Sequence, residues 1–201
     1  MLGEILMNPL LEKFNEYKSI ANYRMEYVFE NGDSLAFKLK QTDFPHLIGL
    51  HKLVDIPIVR QFNDKKNMTV SAKFIISRIK QEELLTDNII RSSKYFSEIS
   101  KRYEEFCKEN ILSMSYTDVI IDFDATKIGS HLKANHILYE QREGQGYNHL
   151  CIAQDVKNKK YAESFFFNPT SLYIQNQKTM KVKNVKIYDE KGNLYLEDDL
   201  H

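Results

Sequence analysis

An α+β fold is predicted: an antiparallel sheet with N-terminal helices and a helical insertion at about residues 70–112, all within one domain spanning residues 1–201. Three observations predict it. The hydrophobic period changes from helical to two near Tyr23, an Asn31-Gly32 pair separates two alternating runs, and the C-terminal half carries successive strand-like runs. No internal repeat, low-complexity tract or Pro/Gly/Ser-rich linker divides the chain.

The first helix begins where Asn8 offers a cap and Pro9 occupies the first helical position, and Leu10, Phe14, Tyr17 and Ala21 then recur at helical spacing. This helix is expected to pack on the sheet. From Tyr23 the apolar Tyr23, Met25, Tyr27 and Phe29 alternate with Arg24, Glu26, Val28 and Glu30; after Asn31-Gly32 the alternation resumes at Leu35, Phe37 and Leu39, which marks a tight hairpin. A short capped helix lies within Thr42 to Leu53, followed by a polar connection from Gln61 to Asn67 and a long helical region from Val70 to Leu112. There Lys94, Glu98, Lys101, Arg102, Glu104 and Glu105 alternate with Tyr95, Ile99, Tyr103 and Phe106, a pattern read as a solvated face over an apolar seam. Strands are expected over Asp118–Phe123, His131–Gln141, Tyr147–Gln154 and Lys160–Phe167, with a last hairpin around Lys181–Tyr195.

With 42% hydrophobic residues, 12 Tyr and 12 Phe, the chain can fill a sizeable core, which excludes a disordered protein. Basic and acidic residues balance at 28 each, so a nucleic-acid partner would have to be held by local charge. Such a bias exists: from Thr126 to Ile187 ten basic residues face four acidic ones, Glu140, Glu143, Asp155 and Glu163. Lysines protecting sheet edges would give the same count. Cys107 and Cys151 have neither metal-ligand spacing nor disulfide density, and no signal-peptide or membrane-spanning pattern is visible, so a cytoplasmic protein without membrane association is expected.

Candidate chemistry starts at Thr42–Leu53, which holds His46, His51 and Lys52. Imidazoles titrate nearest neutrality, and beside a cation they can move protons and hold a phosphate. On a regular helix the two histidines lie about 140° apart and would not share a cleft. Further along, alternation puts His131, Lys133 and Asn135 on one face, His149, Cys151 and Ala153 on another, and Ala162 with Ser164 on a third; aligned, they make a floor carrying Lys133, His149 and Ser164. Tyr161, Tyr173 and Gln177 are candidates for stacking on or bonding a base. Glu163 is an alternative carboxylate base that simple alternation turns away from Ser164 unless a bulge intervenes, and His136 among Leu132, Ala134 and Leu138 reads as a core residue. No carboxylate cluster, His-x-x-x-His pair or P-loop occurs, so no metal and no cofactor are expected.

Four segments together resemble a known family: Phe44 to Leu53, Leu132 to Tyr139, Tyr161 to Phe166 and Tyr173 to Lys178 are similar to the phage-associated barnase–EndoU–colicin E5/D–RelE-like (BECR) nucleases. The resemblance extends over most of Tyr23 to Ile187 and implies a compact sheet with N-terminal helices and a metal-independent ribonuclease activity, often found in toxins, phage-borne proteins or defence systems. It implies an RNA substrate and, for a toxin, a protein inhibitor or antitoxin as partner. In this reading His46 and His149 transfer protons, Lys52 or Lys133 holds the phosphate, Ser164 bonds phosphate or ribose, and His51 completes the set. The rival reading is a non-catalytic RNA- or protein-binding module. An ADP-ribosyl transferase is disfavoured for want of a glycine-rich or catalytic-glutamate motif.

Overall fold

The computed structural model describes residues 8–64, 66–67, 69–112, 116–142 and 146–200; the seven N-terminal residues and Glu143, both used in the sequence reading, lie outside them. Helix α1 (Pro9–Ile20) starts as expected, with Asn8 Oδ1 accepting the Leu10 N–H at 3.1 Å, and it buries Leu10, Phe14, Tyr17 and Ile20. Strands β1 (Arg24–Phe29) and β2 (Ser34–Lys38) form the hairpin. Gly32 closes it in the left-handed region at φ +88°, its N–H donating to the Phe29 carbonyl at 3.0 Å.

The predicted histidine helix is a 3₁₀ turn at Gln41–Asp43, a single helical turn α2 (Phe44–Leu47), a left-handed Gly49 and a second 3₁₀ turn at Leu50–Lys52. Helix α3 (Pro57–Asn63) extends into what reads as a polar connection, started by Pro57 and anchored by buried Ile58 and Val59. The long helical region is four short helices, α4 (Ala72–Lys80), α5 (Asp87–Arg91), α6 (Ser100–Glu105) and α7 (Lys108–Ile111), with a 3₁₀ turn at Phe96–Glu98. Short polar side chains, one local and one distant in sequence, divide it by capturing groups at the helix ends. Thr86 accepts from Ile89 N–H to start α5, and Asp55 accepts both the Ser93 hydroxyl at 2.6 Å and the Lys94 N–H at 2.9 Å just beyond its end. Helix α1 lies beside α4 and α7 and shares one core with the sheet.

The sheet adds β3 (Asp118–Ile121), β4 (His136–Arg142), β5 (Gly146–Gln154), β6 (Lys160–Asn168), β7 (Lys178–Tyr188) and β8 (Leu194–Asp199) in the order β2-β1-β7-β3-β4-β5-β6, with β8 also on β7 and every pairing antiparallel. Strand β7 pairs with β1 over residues 182–188 and with β3 over residues 178–181. The sheet curls enough for β2 and β6, the two ends of that order, to touch. Its helix-covered face carries the principal core, where Phe14, Phe44, Phe106 and Phe165 pack edge to face with centroids 5.2, 5.5 and 6.2 Å apart in turn. Burying each ring stabilises the fold by about 1.5–3 kcal/mol, which holds α2 against β6.

Two strand details differ from the sequence reading, and both shape the site. Strand β4 starts at His136, so His131 and Lys133 stand on an irregular segment rather than on a pleat. Between β5 and β6 the register shifts: Cys151 faces Ser164 but Ile152 faces Ala162, leaving Glu163 as an extra, bulged residue. Ala162 therefore joins Ile152 in the principal core, while Cys151 belongs to a second apolar cluster with Ile120, Phe123, Ile137 and Tyr139.

Candidate active site

A cleft of about 600 Å³ opens where the turn after α2, the stretch from Ser97 to Arg102 and the irregular residues 130–133 meet the end of β6. Its size suits a nucleotide-scale ligand. Helices α2 and α6 both rest on β6, so the packing that builds the core also sets the spacing of the cleft walls.

Gly49 reshapes the histidine turn. An unbroken helix would hold His46 and His51 on different sides, but at φ +84° Gly49 ends the helix, and the two rings come within 5.3 Å. That corrects the expectation from helical geometry. His51 lines the cleft, whereas His46 lies against His51 and, at 5.1 Å, the Phe62 ring. Burial, then the neighbouring His46, Arg102 and Lys52, pull the His51 pKa down to about 3. His51 is thus a neutral imidazole at ordinary pH, with Nδ1 buried and without a hydrogen-bond partner among the described residues.

The same glycine admits Arg102. A Cβ at position 49 would stand 2.9 Å from Ile99 Cγ2 and 3.1 Å from both Cδ and Nη1 of Arg102, so only a bare Cα lets the two segments approach. Arg102 lines the cleft with its guanidinium carbon 6.0 Å from the Phe166 ring centre, and its Nε and Nη1 are buried with no acceptor among the described residues. Burial lowers its pKa from the ordinary value, yet a guanidinium remains protonated. Lys101 also lines the cleft, with Nζ 3.2 Å from the centre of the Phe167 ring. The reading of this stretch as a solvated face is corrected at Arg102, whose guanidinium is withdrawn from solvent, while Lys101 is exposed.

On the sheet side the bulge brings Glu163 into the cleft lining beside Ser164, the outcome that regular alternation forbids. Phe166 and Tyr173 supply aromatic faces with centroids 4.8 Å apart. His149 is fully buried, stacked at 4.7 Å on Phe166 and 5.5 Å from Tyr173. Neither of its ring nitrogens makes a well-formed hydrogen bond; the Tyr147 and Phe166 backbones favour its charged form slightly, but burial dominates and draws its pKa down to about 4.

Of the residues singled out from sequence, His51, Lys52, Lys133, Ser164 and Tyr173 share the cleft. His46 stands behind His51, His149 is buried, and the expected common floor is not formed because Ala162 faces the principal core. Tyr161 lies outside the cleft with Lys40 Nζ 5.7 Å from its ring centre. Gln177 spends its amide on the Asp124 backbone, accepting at 3.1 Å and donating at 3.0 Å. His131, Lys101 and Arg102 join the lining without having been singled out as site residues; each sits in a polar run whose local pattern is that of a surface.

Four cations, Lys52, Lys101, Arg102 and Lys133, outnumber the two carboxylates, Glu98 and Glu163, so the cleft suits a polyanion. Among the described residues no three His, Cys, Asp or Glu side chains gather as a metal-holding group, and no helix is long and apolar enough to cross a membrane. Compared with known families, residues 10–199 match the one described as phage-Barnase-EndoU-ColicinE5/D-RelE like nuclease4. No curated protein and no solved structure matched the chain.

Proposed function

We propose that this chain, which belongs to the phage-Barnase-EndoU-ColicinE5/D-RelE like nuclease family, is an endoribonuclease that uses the ribose 2′-hydroxyl as its nucleophile and needs no metal ion. The observation that carries this reading is a neutral His51 lining a cleft with surplus cations and half-buried aromatic rings. In the proposed step His51 accepts the 2′-hydroxyl proton, O2′ bonds to the adjacent phosphorus, and the bond from phosphorus to O5′ breaks. The leaving O5′ takes a proton from His131, the imidazole on another segment of the same lining, and a 2′,3′-cyclic phosphate remains. Each positioned proton transfer contributes about 10²–10⁴-fold.

Lys52 and Lys133 attract the phosphate backbone, the Ser164 hydroxyl donates to a phosphate oxygen, and Tyr173 with Phe166 stacks on a base. His46 supports the His51 ring, and His149 stiffens the Phe166 platform from within. An inhibitor or antitoxin for such an enzyme would cover the cleft with carboxylates.

Single-stranded RNA incubated with the protein in EDTA is expected to yield fragments ending in 2′,3′-cyclic phosphate. The same RNA with 2′-deoxyribose at the cut position should survive at that position, and a DNA oligonucleotide should remain whole. Cleavage of the DNA strand would overturn the 2′-hydroxyl mechanism. Binding of RNA by folded protein with no fragments would favour a non-catalytic binding module.

A further inference from the structure

We infer that Arg102 is the seat of the phosphate that is cut. The inference rests on the reading above for the identity of the anion, though not for its charge. Arg102 is held where a cation is disfavoured: Nε and Nη1 are buried, no acceptor meets them among the described residues, and the guanidinium carbon stands 6.0 Å from the Phe166 ring centre. A charge withdrawn from water without a counter-charge destabilises the chain that contains it, so a group kept in that state marks the place of a ligand that supplies the missing charge.

The surrounding backbone is arranged to keep it there. Gly49 holds a positive φ and has Arg102 Cδ and Nη1 where a side chain would otherwise stand. His51 is two residues further on and shares the cleft lining. After burial, His46, Arg102 and Lys52 oppose a proton on His51; Glu98, Glu163, Lys101, Lys133, His131 and Tyr173 are the other titratable groups around the cleft, and Tyr173 and the buried Cys151 face Arg102. A phosphodiester at Arg102 brings a single negative charge, which offsets the opposition from that guanidinium.

The test uses the full chain with Arg102→Met and Arg102→Lys, inorganic phosphate as the probe, and two readouts: thermal midpoint with and without phosphate, and cleavage of single-stranded RNA. Wild type should be stabilised by phosphate. Arg102→Met should melt at the same temperature as wild type or higher without phosphate, lose the phosphate response, and cut RNA about 10²–10³-fold more slowly, the range for removing one preorganised donor. Arg102→Lys should recover part of both. An NMR titration of the wild-type Arg102 Nε–H with phosphate gives a readout that needs no variant to fold, and an unshifted signal at saturation overturns the inference. So does an Arg102→Met protein that keeps the phosphate response or melts well below wild type. Wild type that loses its phosphate response with Arg102 yet never cuts RNA would refute the ribonuclease reading and leave the phosphate seat standing.

Discussion

Two arginines meet helix α6 in contrasting states: Arg142 of β4, bonded to its Glu105, and Arg102 within it. Arg142 Nε donates to Glu140 at 3.0 Å, Nη1 to Glu105 at 3.0 Å and Nη2 to Asn110 at 2.7 Å, while Asn148 donates to the same Glu140 oxygen at 2.8 Å. That network joins α6 and α7 to β4 with every guanidinium nitrogen engaged. At the cleft, Arg102 leaves Nε and Nη1 buried with no acceptor among the described residues. The same side chain is complete within the described residues in one region and incomplete in the other, and the incomplete one lines the cleft.

The largest effect expected on the cleft side is that of His51→Ala, which should slow RNA cleavage by about 10²–10⁴-fold, the contribution of a positioned proton acceptor, with an unchanged urea midpoint. A large loss of stability instead would move His51 into the Arg142 class of structural groups. Arg142→Ala should do the reverse, lowering stability by about 2–3 kcal/mol because the buried Glu140 carboxylate loses its main counter-charge, with normal cleavage per folded molecule. Denaturant melts paired with active-site titration separate the two quantities.

Gly49→Ala tests the link between backbone and cleft. It should cost about 1–3 kcal/mol for a left-handed non-glycine residue, and should also impair cleavage because its Cβ meets Arg102. Unimpaired cleavage in a folded Gly49→Ala protein would show that Arg102 tolerates displacement.

The smallest effect concerns pH. A histidine whose folded pKa is depressed stabilises the fold above its ordinary value near 6.5 and loses that contribution as pH falls toward the folded value, about 4 for His149 and about 3 for His51. Asp43 works the other way: burial raises its carboxyl to about 7, so its contribution is lost as pH rises from the ordinary carboxylate range through 7. Asp43 is common to both proteins in a comparison of wild type with His149→Phe. The difference in stability between them should therefore shift by about 1 kcal/mol in favour of His149→Phe on going from pH 6.5 to 5.5. A pH-independent difference would mean that His149 titrates normally.

Local signals carried much of this molecule. The Asn8-Pro9 start of α1, the glycine turn of the first hairpin and the strands after Asp118 were legible because a cap, a left-handed residue and an alternation of two depend on a few adjacent residues. The α+β class and the resemblance to the nuclease family followed from the same stretches. The single long helical region misled because apolar spacing continues through α4 to α7, while the breaks depend on partners as distant as Asp55.

From its residues alone the chain determined which types of group were available for chemistry: imidazoles, ammonium groups, a hydroxyl and aromatic rings near the right segments. Folding decided which of them meet. It broke the helix at Gly49 to bring His51 to the cleft, slipped the register at Glu163, sealed His149 inside and drew Arg102 out of a charge run that reads as surface. Periodicity is a property of neighbours along the backbone, whereas burial and charge pairing depend on segments far apart in sequence, so the elements could be read in advance and the cleft could not.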